Sequence, residues 1–372
     1  MRPKTLDPTK RGEAAEALEF GLRSKIVGQE DAIRQVVEMY QMHVSGMCSP
    51  NRPIANLMFL GPTGSGKTRL VEALAECLLQ NSKAVLKIDC AEFQHGHEIA
   101  KLIGSPPGYL GHRETSPLLT QEALDRHHTE TVKMSIVLFD EIEKASDSVW
   151  NLMLGILDKA TLTLGDNTKV DFSKAMIFMT SNVGAREMST LTKPKLGFAG
   201  LAESRDMSNI SEPLSNEMAR GGLEAARRKF TPEFINRIDK MVVFRPLGAN
   251  ELDRILEIEL NSVRERVLNV DERLHFVFTV TASGKQFLLS EGTNVEYGAR
   301  HLKRAIERLL VQPLSRLIAS GQIRDGDFIE IDYRSQSTAL TFSRQDEGLA
   351  VRDMARLMAA TGRSQAAFAA AL

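Results

Sequence analysis

The stretch Gly61-Pro62-Thr63-Gly64-Ser65-Gly66-Lys67-Thr68 decides how the rest of this chain is read. Its spacing is GxxxxGK[ST], and its surroundings are those the motif needs. Upstream, Ala55 to Leu60 is a short, nearly continuous apolar run, as expected of a strand buried on both faces. Downstream, Leu70, Ala73, Leu74, Cys77 and Leu78 recur at helical spacing. Between strand and helix, glycines carry no Cβ, so backbone N–H groups can converge on phosphate oxygens. The helix N-terminus adds partial positive charge at the same spot. Lys67 would neutralise the outer phosphates of a nucleotide, and the Thr68 hydroxyl would ligate Mg²⁺.

Working outward, three more apolar runs have the character of the first: Ala84 to Ile88, Ser135 to Phe139 and Ala175 to Thr180. A fifth, Met241 to Phe244, precedes Arg245-Pro246. Helical patterns fall between them, and another, marked by Ile33, Val36, Val37, Tyr40 and Val44, precedes the first strand. This alternation predicts an α/β fold with a parallel five-stranded sheet flanked by helices. The run Ile136 to Phe139 ends in Asp140-Glu141, which places two carboxylates at the C-terminal edge of the sheet, where open α/β sheets bind ligands. Asp140 would hold the Mg²⁺ shell and Glu141 would polarise an attacking water.

Past Pro246 the texture changes. Leu252 to Val267 reads as a charged helix, Leu274 to Val280 as a strand, and Arg300 to Ile318 as a helix kinked or restarted at Pro313. Asp327 to Tyr333 and Thr338 to Phe342 read as a hairpin. The expected organisation is an N-terminal extension (1–25), a large α/β domain (26–246), a small α+β domain (247–344) and an alanine-rich tail (345–372). Thr190 to Gly222, rich in Ser, Gly, Asn and Met, reads as a surface insertion.

Composition narrows the function. A net charge of −1 gives no support to a nucleic-acid-binding surface. No run of 18 apolar residues exists to span a membrane, and Met1 to Lys10 lacks the apolar core of a secretory signal. Cys48, Cys77 and Cys90 have no CxxC spacing and read as buried or idle thiols in a reducing cytosol, with a cytoplasmic protein expected. His95, His97, His127 and His128 complete no tetrahedral ligand set.

The paired motifs, followed by Thr180-Ser181-Asn182 at the end of the next strand, resemble the AAA+ ATPases. The resemblance is closest to the C-terminal ATPase module of the Clp unfoldases and disaggregases (ClpA, ClpB, ClpC), and runs from Ile26-Val27-Gly28-Gln29 to about Phe342. It is carried by Ile88-Asp89, Glu92-Phe93, Leu102 to Gly111, and Phe139 to Ala145. Phe230 to Asp239 and Tyr297-Gly298-Ala299-Arg300 extend it.

The resemblance implies ATP and Mg²⁺ as cofactors, held by the loop residues Gly61 to Thr68 and by Asp140, with Ile26 and Val27 along the adenine pocket. It implies that Glu141 activates water, that Asn182 is sensor 1, and that Arg237 is the arginine finger reaching a neighbouring subunit's γ-phosphate. Arg300 matches sensor 2, on a small domain that closes on the nucleotide as a lid. A finger supplied in trans implies a homo-hexameric ring. Tyr109, flanked by Gly108 and Gly111, matches the aromatic pore loop that grips unfolded or tagged polypeptides. Leu196-Gly197-Phe198 lies where peptidase-coupled relatives carry a tripeptide that docks on ClpP; the other reading is a loop tucked on its own domain.

The sequence also departs from the family pattern. There is one P-loop, no coiled-coil middle segment, and about 25 residues before Ile26, too few for a substrate domain. His112 to Ser116 replaces a usually glycine-containing stretch, and Glu122 to Lys133 is longer and more polar than usual. The expected function is an ATP-dependent unfoldase, with or without an adaptor or peptidase. The alternative is a remodeller of one dedicated complex; a DNA-acting motor fits poorly, because the pore loop is Gly-Tyr-Leu-Gly and not a basic hairpin.

Overall fold

The computed structural model describes residues 6–105, 117–185, 187–188, 212–268, 275–293, 298–334, 337–349 and 354. Tyr109, the segment Leu196-Gly197-Phe198 and nearly all of the alanine-rich tail lie outside the described residues. The chain divides into two compact units, Met1–Pro246 and Leu247–Leu372.

In the first unit, helices α1 (Glu13–Lys25) and α2 (Glu30–Val44) lead to β1 (Ala55–Leu60), and α3 (Lys67–Leu79) leads to β2 (Leu86–Asp89). Then come β3 (Ser135–Asp140), α4 (Asp147–Lys159), the short strands β4 (Thr161–Thr163) and β5 (Lys169–Asp171), and β6 (Ala175–Ser181). Helix α5 (Glu212–Lys229) and β7 (Lys240–Val243) complete the unit. The main sheet has five strands in the order β2-β3-β6-β1-β7, all parallel. Every residue of β1 and of β6 is buried, which explains why these strands lack the alternation of a sheet with one wet face.

Alternate residues of β1 serve separate cores. Leu57 and Phe59 pack with Leu22, Val37 and Leu74 of α1, α2 and α3. Met58 and Leu60 pack on the other face with Val149, Met153 and Ile156 of α4 and with Phe230. The β4–β5 hairpin was not expected from sequence; it pairs Thr161–Thr163 against Lys169–Asp171 and extends the second core through Leu162 and Val170.

One expectation needs correction. The C-terminal part of the supposed insertion, from Glu212 to Gly222, is the start of helix α5 and not loop. Its Gly222 permits close packing: a Cβ there would lie 2.6 Å from Met188 Cε and 3.3 Å from a Val243 methyl. Strand boundaries also shift slightly: the second strand is Leu86–Asp89, and the fifth is Lys240–Val243.

The second unit has its own core. Helix α6 (Ala249–Leu268) supplies Leu252, Leu256, Leu260 and Val263. Strands β8 (Val277–Val280), β9 (Phe328–Asp332) and β10 (Thr341–Asp346) form a sheet in which β8 is parallel and β10 antiparallel to β9. The long C-terminal helix is broken as Pro313 requires. Ala299–Ile306 is α-helical, Glu307–Val311 winds as a π-turn, and Gln312–Ala319 resumes the α-helix. Proline has no N–H and its ring clashes with the carbonyl one turn back; the π-turn absorbs this, with Gln312 N–H donating to Glu307 O.

Candidate active site

At the C-terminal edge of the sheet, β1 turns into the glycine-rich loop. Gly61 has φ +145°, and a Cβ there would lie 2.5 Å from Phe244 O at the end of the neighbouring strand. Gly66, with φ +101°, caps α3 in the left-handed region that glycine tolerates. No described residue accepts the N–H of Gly64, Ser65 or Gly66, and a Cβ built on Gly66 would meet nothing within 4 Å. The loop is therefore an open nest of donors at a helix N-terminus, the arrangement that receives phosphate oxygens. Inside it, Ser65 Oγ donates to Pro62 O at 2.8 Å.

Lys67 is buried, and its Nζ donates to Gly61 O at 2.6 Å, Pro62 O at 2.9 Å and Asn182 Oδ1 at 2.9 Å. Asn182 follows β6, the strand beside β1. Its Nδ2 reaches Glu141 Oε1 at 3.4 Å and its N–H donates to Glu143 Oε1 at 3.1 Å. One amide thus joins the loop lysine to the carboxylate after β3.

Asp140 ends β3 and is served by three neighbours. Thr68 Oγ1 lies 3.3 and 3.5 Å from its two oxygens, Thr180 Oγ1 donates to Oδ1, and Lys87 Nζ sits 2.8 Å from Oδ2. Burial alone would raise the carboxyl pKa; the hydrogen bonds from Lys87 and Thr180, the Lys87 charge and Thr68 outweigh it and hold Asp140 below the usual carboxylate range. Glu141 adopts φ 57°, uncommon for a non-glycine residue. Its N–H donates to Thr180 Oγ1 at 3.0 Å, and its carboxylate is ion-paired to Lys144. That bond raises the Lys144 pKa above the ordinary lysine value.

The donor set suits a hard cation: a hydroxyl and a carboxylate oxygen within hydrogen-bonding distance, beside a phosphate-shaped nest. Among the described residues no cluster of His, Cys, Asp and Glu could hold a metal by protein ligands alone; with Thr68 and Asp140, water and phosphate oxygens would complete the shell of a hard cation.

Ile26 and Val27 are both buried in the segment between α1 and α2. The same segment is tied to the loop by Gln29, whose Nε2 donates to Ser65 O at 3.1 Å and Arg245 O at 2.9 Å. Gln29 Oε1 accepts the N–H of Arg245 at 3.1 Å, so one buried amide clamps the loop to the end of β7.

Arg237 lies elsewhere. It precedes β7, at the N-terminal edge of the sheet, where Asn56 Nδ2 donates to Arg237 O at 3.1 Å and to Leu157 O at 3.0 Å. Asn56 to Gly61 is five residues of strand, about 17 Å, so the chain's own Arg237 and its own glycine-rich loop occupy opposite ends of β1. The guanidinium donates from Nη1 to Glu233 O at 3.0 Å and to Glu233 Oε1 at 3.1 Å, while Nε stands 3.9 Å from Asp158 Oδ2. Arg300, exposed in the first turn of Ala299–Ile306, belongs to the second unit.

Lys87, Lys144, Gln29 and Asn56 were not singled out as site residues from sequence. Asn56 carried a readable signal: a polar side chain inside a strand buried on both faces needs hydrogen-bond partners.

A family model described as "AAA domain (Cdc48 subfamily)" matches residues 52–241, and one for the C-terminal, D2-small domain of ClpB matches residues 247–331. The ATP-dependent Clp protease ATP-binding subunit ClpC of Staphylococcus saprophyticus is 36% identical over 319 residues, covering 85% of this chain and 36% of its own. Chaperone protein ClpB 1 of Thermosynechococcus vestitus is 38% identical over 330 residues, covering 89% and 35% respectively. Among solved structures, a closed-state cryo-EM reconstruction of Hsp104 with ATPγS and FITC casein aligns with a TM-score of 0.71 at 30% identity, over 89% of this chain and 52% of that one. The chain spans about a third of the length of the curated relatives it matches.

Proposed function

This chain belongs to the AAA ATPases of the Clp type, and on that premise we propose that it hydrolyses ATP in a ring and uses the energy to unfold or remodel polypeptides. ATP with Mg²⁺, when bound, supplies the phosphoanhydride to be cleaved and the cation that neutralises it. The N–H groups of Gly64, Ser65 and Gly66, with Lys67, hold the phosphate end; Thr68 and Asp140 hold the cation. Glu141 orients a water and receives its proton at the carboxylate, and Asn182 fixes that carboxylate relative to Lys67.

The observation that carries the ring is the separation of Arg237 from its own glycine-rich loop by the length of β1. An arginine so placed serves catalysis by reaching a neighbour's site, and fingers of this kind are worth about 10³- to 10⁵-fold in rate. A head-to-tail contact that closes makes a ring; the family likeness favours a hexamer.

The test is subunit mixing. Lys67→Ala should bind no nucleotide and Arg237→Ala should hydrolyse only slowly on its own, but at equal mixing about one interface in four would pair an intact loop with an intact finger. Recovery of about a quarter of wild-type turnover supports action in trans; no recovery, with mixed rings confirmed by native mass spectrometry, would sink it.

Polypeptide as substrate rests on the resemblance around Tyr109. Denatured casein should stimulate ATP turnover in the wild type and not in Tyr109→Ala; stimulation that survives would favour the reading in which one dedicated complex is remodelled without threading. For Leu196-Gly197-Phe198, co-migration with a ClpP-type peptidase that Phe198→Ala abolishes would support docking. Arg300 is proposed to sense the nucleotide, and Ile26 and Val27 to line the adenine pocket, on the same resemblance.

A further inference from the structure

Lys87 stands in the middle of β2, the strand beside β3 at the edge of the sheet, in register with Leu138. Side chains alternate along a strand, so Lys87 and Asp89 share one face while Ile88 is buried on the other. Asp89 is occupied by the N–H of Ala91. The Lys87 ammonium instead crosses to Asp140 Oδ2 at 2.8 Å. Asp140 Oδ1 takes the Thr180 hydroxyl, and Thr68 Oγ1 lies 3.3 Å from Oδ1 and 3.5 Å from Oδ2. The ammonium is therefore a cation placed against the same carboxylate, beside the same hydroxyl, that would hold the divalent ion.

We infer that Lys87 is a positioning residue that holds Asp140 in place before the divalent cation arrives and competes with that cation for the carboxylate. This rests on the nucleotide–Mg²⁺ reading of the site. Two cations on one carboxylate repel, so entry of the divalent ion displaces Lys87. The lysine side chain is 47% exposed against 18% for Asp140, so it can move into water while Asp140 stays. Lys144 is not the displaced group, because its partner is Glu141.

The experiment is a Mg²⁺ titration of the full chain, read by fluorescence of a bound ATP analogue and not by turnover. Lys87→Met should lower the half-saturating Mg²⁺ concentration about fivefold, the upper end for a partly exposed ion pair. Lys87→Arg should stay near wild type. In EDTA, analogue affinity should be the same in all three. A Mg²⁺ requirement that is unchanged or higher in Lys87→Met, with Lys87→Gln agreeing, would overturn competition. So would weaker binding in EDTA, which would place Lys87 on the phosphates. If wild-type binding proved insensitive to both Mg²⁺ and Lys67→Ala, the underlying site reading would fall as well, and that pattern is distinct from the others.

Discussion

At its C-terminal end β1 runs into a loop where hydrogen bonds join Lys67 to Asn182 and Asn182 to the Glu141 carboxylate, and join the Glu141 N–H through Thr180 to Asp140 and Thr68. At its N-terminal end, Asn56 holds only the backbone of Arg237, while the guanidinium rests on Glu233 and stands at ion-pair distance from Asp158. The first end is preorganised: its groups already face one another, and reaction there needs little rearrangement. The second fixes the root of a side chain and leaves the tip lightly held, since a pair as exposed as Arg237–Glu233 stabilises by about 0–1 kcal/mol. On the proposed role in trans, the backbone anchor aims Arg237 while its light side-chain contacts leave the tip free to reach another molecule.

The contrast can be broken from either side. The largest effect should come from Lys67→Ala, which abolishes nucleotide binding, against Arg237→Ala, which keeps affinity but slows turnover at least about 10³-fold; isothermal titration and a phosphate-release assay resolve the two. If Arg237→Ala lost binding as well, the ends would not be functionally separate. Next, Asn56→Ala leaves Leu157 O and Arg237 O without the amide donor. A loss of about 2 kcal/mol in urea unfolding is expected, with turnover reduced more than nucleotide affinity; equal loss of both would reduce Asn56 to a packing role. The smallest effect belongs to Thr231→Ala. Its hydroxyl accepts Phe234 N–H at the start of Pro232–Ile235, the turn that carries Arg237 forward. A loss of about 1 kcal/mol follows from removing such a cap, again with affinity preserved.

What was legible in sequence divides along the same physical line. The central strands β1, β3 and β6 are readable because burial on both faces leaves apolar runs with sharp ends, and the glycine-rich loop because its geometry admits few residue types. The β4–β5 hairpin was not, since three-residue strands such as Thr161–Thr163 are too short to display a period. Glu212 to Gly222 reads as part of an insertion because of its Ser, Gly, Asn and Met content, where Gly222 instead lets the Met188 and Val243 side chains approach the helix closely. Lys87 and Lys144 are unremarkable as letters; only the pairing of β2 with β3, and the turn after Glu141, give them partners. The cysteines read as buried or idle thiols. Cys90 is fully buried, and burial followed by the charges of Asp140 and Asp89 pushes its thiol far above the usual range.

Gln29 gives the molecule a load path. Its amide grips Arg245 by both N–H and carbonyl, and with its remaining donor holds Ser65 in the loop. Arg245 stands one residue before Pro246, where the first unit ends. One buried side chain, bonded to Arg245 and to Ser65, ties the end of that unit to the glycine-rich loop. Three hydrogen bonds thereby make the glycine-rich loop and the last residues of the first unit a single braced body, so that a shift of either is carried to the other.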